Sequence, residues 1–243
     1  MVITQAGGAV ARGEAAAERS VLLPRSTGGT GLSVERAGLT REALLVAAER
    51  LFAERGVHAV SHREISRTAG QGNNAAVGYH FGTRAALVRA IVGKHAAQME
   101  AIRAGLVRET GDSADLRRWV ACVVLPVTEY LEVLGTPSWL ARFNAQVMAD
   151  PVLYAVMMDE SSRRAPSLSC LLDGLDRCVP AASPAIVRER RVMARHLIVQ
   201  MCAERERALA ERLPTYRTSW RDTADGLIEA IVAVWGMPAS RSA

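Results

Sequence analysis

From residue 40 onward, apolar side chains recur every three to four positions, and a two-residue alternation persists nowhere. That is a helical period. Leu44, Ala47, Ala48, Leu51 and Phe52 make the first stripe. Its helix is predicted to start at Thr40 as N-cap, with Leu39 and Leu44 as a hydrophobic staple, and to stop at Gly56. The next stretch, Ser61 to Arg84, reads SHREISRTAGQGNNAAVGYHFGTR: two short helices about a glycine-bearing turn, followed at once by a third helix start. Ser61 and Glu64 have capping-box spacing, flanked by Val60 and Ile65 as a second staple. Gly70 ends that helix, because a left-handed residue is cheapest without a Cβ. Asn73 or Asn74 can cap the short helix that follows, with Ala75 to His80 as its body. Thr83 caps a longer helix carrying Leu87, Ala90, Ile91, Ile102 and Leu106 on one stripe.

Beyond Gly111 the helical period continues. A helix is expected from Asp112 or Ser113 to about Leu134. Thr136-Pro137 and Asp150-Pro151 each place a capping residue before a proline at the first helical position, where a missing N–H is tolerated. Residues 178–184 (CVPAASP) read as a loop, and two amphipathic helices follow, about Ala185 to Leu213 and Ser219 to Trp235. Both carry apolar residues on more than one stripe, so each needs more than one neighbour. The resulting division is a flexible tail over 1–39, a helix-turn-helix domain over 40–90, a larger helical domain over 91–236 and a short tail over 237–243. Arg25 and Arg36 in the first tail leave open a DNA-reaching arm beside the plain reading of a mobile segment.

Charge sharpens this division. The formal net charge of +5 is unevenly placed: residues 1–39 carry +1, residues 40–108 carry +5 and residues 109–243 carry −1. A basic excess around a helix-turn-helix is the electrostatic footprint that double-stranded DNA requires, although a solvated basic face would look the same. Cys122, Cys170, Cys178 and Cys202 form no C-x-x-C pair, which leaves reduced thiols in a cytoplasmic protein as the expectation. No apolar run approaches the ~20 residues of a membrane span, and the start of the chain does not read as a secretory signal. The fingerprints of serine hydrolases, P-loops, zincins and dinucleotide folds are all missing, so neither catalytic residues nor a metal site is expected. His58 and His62 are four apart, but a helix boundary falls between them.

The same residues resemble a known family. Ala47, Ala48, Leu51 and Phe52, then Ala69-Gly70, His80-Phe81 and Arg84, match in order and spacing the DNA-binding domain of the TetR family of bacterial transcriptional regulators. The match spans about 50 residues of the chain. It departs in one place: Gly70 to Phe81 holds one residue more than the commonest family pattern, so the usual recognition-helix tyrosine aligns with Gly78 and Tyr79 stands next to it. The resemblance implies an all-α protein with a three-helix DNA-binding domain and a larger C-terminal domain for ligand binding and dimerisation. It implies phosphate contacts at His80 and Arg84. Thr40, Ser61 and Thr83 would join them at helix N-termini, which attract anions, and Tyr79 can reach the same backbone. Asn73, Asn74 and Gly78 are candidates for the groove face. Asparagine can read adenine, yet an asparagine cap needs no DNA to explain it. Trp119, Tyr130, Trp139, Phe143, Tyr154 and Met158 are candidates for an effector site or plain core. Leu197, Met201, Leu227, Ile231 and Trp235 are candidates for a homodimer interface, because the family pairs its last two helices across a twofold axis. The function implied is a ligand-released repressor on a roughly palindromic operator, with no cofactor beyond an unknown small-molecule effector. The alternative is a helical ligand-binding or enzymatic protein whose N-terminal domain no longer binds DNA.

Overall fold

Ten helices and no strand occupy residues 29–179 and 183–237, the part of the chain that the computed structural model describes. The helices are α1 (Gly29–Arg55), α2 (His62–Thr68), α3 (Ala76–Phe81), α4 (Arg84–Thr110), α5 (Leu116–Leu134), α6 (Leu140–Met148), α7 (Pro151–Arg163), α8 (Leu168–Cys178), α9 (Pro184–Ala210) and α10 (Trp220–Gly236). Of the two expected tails, residues 1–28 and 238–243 lie outside the described part, Arg25 with them.

Several helices start where their caps require. Ser61, Thr83, Asp115, Asp150, Ser183 and Ser219 each accept a backbone N–H from the first turn of the helix that follows, satisfying donors with no intrahelical partner. Three expected starts are corrected, the first being that of α5, which is capped by Asp115 rather than by Asp112 or Ser113. Thr40 is not a cap: α1 begins at Gly29 and runs straight through it, so residues 29–39 are helix rather than tail. Leu39, expected to staple a cap there, is 68% exposed. Thr136-Pro137 does not open a helix either, since α6 begins at Leu140 behind Trp139. The single helix expected from Pro151 is two, α7 and α8, broken around Pro166.

The core of the N-terminal unit is Leu44, Leu45, Ala48 and Phe52 of α1 against Val60, Ile65, Val77, Leu87, Val88 and Ile91, all buried. Removing each of these side chains but that of Ala48 from water contributes roughly 1.5–3 kcal/mol. In the larger unit α5 is the central helix, with α4, α8 and α10 against it, while α9 packs on α6 and α10. Gly174 allows α8 its close approach, because a Cβ there would lie 2.5 Å from the Trp119 ring.

The two units are joined by specific contacts. Phe52 stacks on Phe143 of α6 with ring centroids 6.4 Å apart. His58, in the α1–α2 loop, meets Asp150 at 2.6 Å. A buried chain links three helices: Glu49 of α1 to His95 Nε2 of α4 at 3.0 Å, and His95 Nδ1 to the Tyr130 hydroxyl of α5 at 2.9 Å. Buried polar groups are tolerated when paired in this way.

Candidate nucleic-acid interface

The candidate surface is built from α2, the following turn and α3. Ser61 Oγ accepts the Glu64 N–H at 3.2 Å. The reciprocal half of the expected capping box does not form, because the Glu64 carboxylate pairs with Arg55 of α1 instead. Gly70 follows α2 with φ +69, the left-handed position that lets Gln71 N–H donate back to Ser66 O at 2.9 Å.

The turn corrects the expectation for the two asparagines. Neither is the N-cap of α3; Ala75 holds that position and makes no side-chain cap. Asn73 Oδ1 accepts the Ala75 N–H at 2.9 Å, and its carbonyl accepts the Ala76 N–H at 3.1 Å. This is an Asx-type turn, a local substitute for a cap. Asn74 contributes its main chain, accepting Ser66 Oγ at 3.3 Å. Its side chain is exposed and bonds to nothing among the described residues.

On α3, Val77 is buried, whereas Gly78 and Tyr79 face solvent. Tyr79 is 83% exposed and stands edge-on to His80, with centroids 5.1 Å apart. A Cβ added at Gly78 would meet nothing within 4 Å, so this is an open and flat strip of helix. Gly82, with φ +70, stops α3, and Thr83 Oγ1 then caps α4 by accepting the Ala86 N–H at 3.1 Å.

Arg84, expected at the phosphate backbone, makes a contact within the chain. Its guanidinium donates to the Val57 carbonyl of the α1–α2 loop, so it fastens α4 to that loop. Its charge, after burial as the larger cause, helps hold the His62 imidazole below its ordinary pKa.

The free cations are elsewhere. Arg63 and Arg67, exposed on α2, lie one helical turn apart and have no ion-pair partner among the described residues. Sequence reading passed over them, although their four-residue spacing puts both on one face. Arg41 of α1 lies over the Phe81 ring at 5.0 Å.

The other expected sites divide as well. Of the effector candidates, Trp119 and Phe143 are fully buried and Tyr130 bonds His95. Tyr154 packs under Arg195 and Trp139 under Arg50, and Met158 is half-buried on α7. None of the six lines either of two clefts, of about 200 and 260 Å³, at the C-terminal end of α9 and between α1, α6 and α9. At the expected dimer face, Leu227, Ile231 and Trp235 are buried in the chain's own core, where α10 packs on α5, and are not available to a partner. Leu197 is half-buried and Met201 is 41% exposed on α9, beside exposed Val192 and Met193. No cluster of three metal-ligating side chains occurs among the described residues, and no helix there is long and apolar enough to cross a membrane.

Comparison with known proteins adds one identification. Residues 44–91 match the family model of bacterial regulatory proteins, tetR family. No curated protein matches the chain. Among solved structures, one ascribed to a TetR-family transcriptional regulator from Rhodococcus sp. is 20% identical, with 82% of this chain and all of that one covered and a TM-score of 0.45. The TetR-family transcriptional regulator PfmR from Thermus thermophilus is 15% identical, with 79% and 96% covered and a TM-score of 0.49. With likenesses this distant, the identification rests on residues 44–91.

Proposed function

We propose, from the premise that residues 44–91 are a tetR-family domain of bacterial regulatory proteins, that this chain is a sequence-specific DNA-binding transcriptional regulator of the cytoplasm. It acts as a homodimer on a roughly palindromic operator and is released by a small-molecule effector. The observation that carries the reading is the outward strip of α3, Gly78 and Tyr79, together with the exposed side chain of Asn74 in the preceding turn and the exposed Arg63 and Arg67 of α2, which have no ion-pair partner among the described residues. A flat helix face can enter a major groove while cations on the preceding helix bind phosphates. Tyr79 and Asn74 are the residues placed to read bases. Asn73, His80 and the caps Ser61 and Thr83 shape the surface or meet the backbone. Repression and release follow from two spacings of the paired reading heads, provided the effector binds one spacing better than the other.

The test is selection of genomic fragments by the purified full chain, followed by titration of a selected site against a scrambled one at several salt concentrations. A specific regulator binds its site at least about a thousandfold tighter than the scrambled duplex, and Asn74→Ala or Tyr79→Ala relaxes preference at single base pairs. Binding that ignores sequence, or no binding at all, overturns the reading and leaves a ligand-binding helical protein.

A further inference from the structure

The end of α9 is shaped around a buried arginine. Arg205 is only 8% exposed, and its two Nη atoms donate to the main-chain carbonyls of Arg217 at 2.5 Å and Thr218 at 3.2 Å. Its Nε has no hydrogen-bond partner among the described residues. Its guanidinium lies over the Trp220 ring at 5.1 Å. No carboxylate forms an ion pair with it among the described residues. The Asp222 and Glu132 carboxylates act on it through their charges, and Asp222 is held by the cap of α10, where it accepts Ser219 N–H at 3.1 Å and the Thr218 hydroxyl. A buried charge without a hydrogen-bonded counter-ion is costly, and burial pulls the pKa of this guanidinium down.

The segment that covers Arg205 is equally specific. Arg212, a non-glycine residue, takes the left-handed position with φ 56, and Leu213 N–H then bonds back to Ala208 O at 2.8 Å. Non-glycine residues held there mark places where the surrounding structure over-determines the backbone. Residues 213–217 consequently fold back as one wall of a cleft of about 200 Å³. Arg205, Arg207 and Arg217 line it together with one carboxylate, Glu204, which is paired with Arg207 at 2.5 Å. Its apolar lining includes Leu213 and Met201. Arg217 is laid across α10 at Gly226, where an added Cβ would come within 2.7 Å of its Nη2.

We propose that this cleft is a binding site for a small organic carboxylate with a compact apolar body, whose anionic group meets the guanidinium groups of Arg205 and Arg217. Charge-assisted bonds to guanidinium give the head group its orientation, and Leu213 and Ala208 take the apolar end. This site lies at the α9–α10 connection, apart from the six aromatic and methionine residues considered for an effector, and it does not depend on DNA binding.

The probe is benzoate, with benzamide as its neutral counterpart, titrated into the full chain by calorimetry and followed by melting temperature. Saturable binding of benzoate, with benzamide at least about tenfold weaker, is expected for one charge-assisted contact. Arg217→Gln should weaken benzoate about tenfold, whereas Arg217→Lys should retain most of the affinity. Gly226→Ala should weaken it without changing any charge, by displacing Arg217. Arg188→Gln, on an exposed part of α9 away from the cleft, should change nothing. Equal affinity for benzoate and benzamide, no saturable binding, or full affinity in a folded Arg217→Gln protein overturns the proposal.

Discussion

At the scale of single residues, two arginines of similar sequence standing have different surroundings. Arg84 donates to the Val57 carbonyl, so Arg84→Ala should lower unfolding free energy by about 1–3 kcal/mol, the cost of leaving a part-buried carbonyl unpaired. Arg67 has no such partner, and Arg67→Ala should leave melting unchanged but reduce the slope of log affinity against log salt by about one. Denaturation and salt titration of both variants separate the roles; a lower salt slope in the Arg84 variant alone would reverse the assignment. His62 supplies a pH dependence. Because burial and then Arg84 lower its folded pKa below 6.5, its stabilising contribution is complete above that value and is lost as pH falls through the lowered one. His62→Gln should flatten this part of the stability profile, read by urea unfolding between about pH 7 and 5. The loss from Asp150, Asp159, Glu160 and Asp222, whose pKa values are also lowered, falls in a separate and more acidic window.

At the scale of elements, the clearest dependency is α6. Glu206 of α9 is buried and accepts Ala141 N–H at 3.1 Å, Arg142 N–H at 2.9 Å and Ser138 Oγ at 2.7 Å, with Arg142 Nε at 3.1 Å. A remote carboxylate thus does for α6 what a local cap does elsewhere. Glu206→Ala should cost roughly 3–5 kcal/mol, because it strands Arg142 and two helix N–H groups together, and chemical denaturation would show it. This helix also marks the limit of what the chain discloses by itself. Asp150-Pro151 and Thr136-Pro137 carry the same local signal, but only Asp150 finds its N–H partners, at Val152 and Leu153. Thr40 shows the converse: a hydroxyl before an apolar stripe resembles a start, yet helix continues upstream of it. Local chemistry therefore located the starts of α2, α4, α7, α9 and α10 well. The turn at Asn73 was legible as a turn but not in its bonding, since an Asx turn and a cap use the same residue. Arg84 and Glu206 depend on partners distant in sequence, and no spacing rule reveals those.

At the scale of the whole molecule, burial of the α10 residues leaves only the α9 side chains of the expected pairing face exposed. Leu227 and Ile231 belong to the chain's own core, so Leu227→Asp should unfold the protein rather than merely dissociate it. Met193, Leu197 and Met201 follow one another along α9 at four-residue steps, and both methionines are exposed. Met201→Asp should therefore give a folded monomer where the parent chain sediments as a dimer; a folded dimer in that variant would place the contact elsewhere. Glu206 has a last consequence, in the order of events as the chain is made. The buried residues of 44–91 are synthesised first, but they belong to one hydrophobic cluster that runs on into the later helices. Helix α6, on which Phe52 of that unit rests, has to wait for a carboxylate that is synthesised 64 residues after Arg142. The packing around Phe52 is thus completed only when α9 arrives.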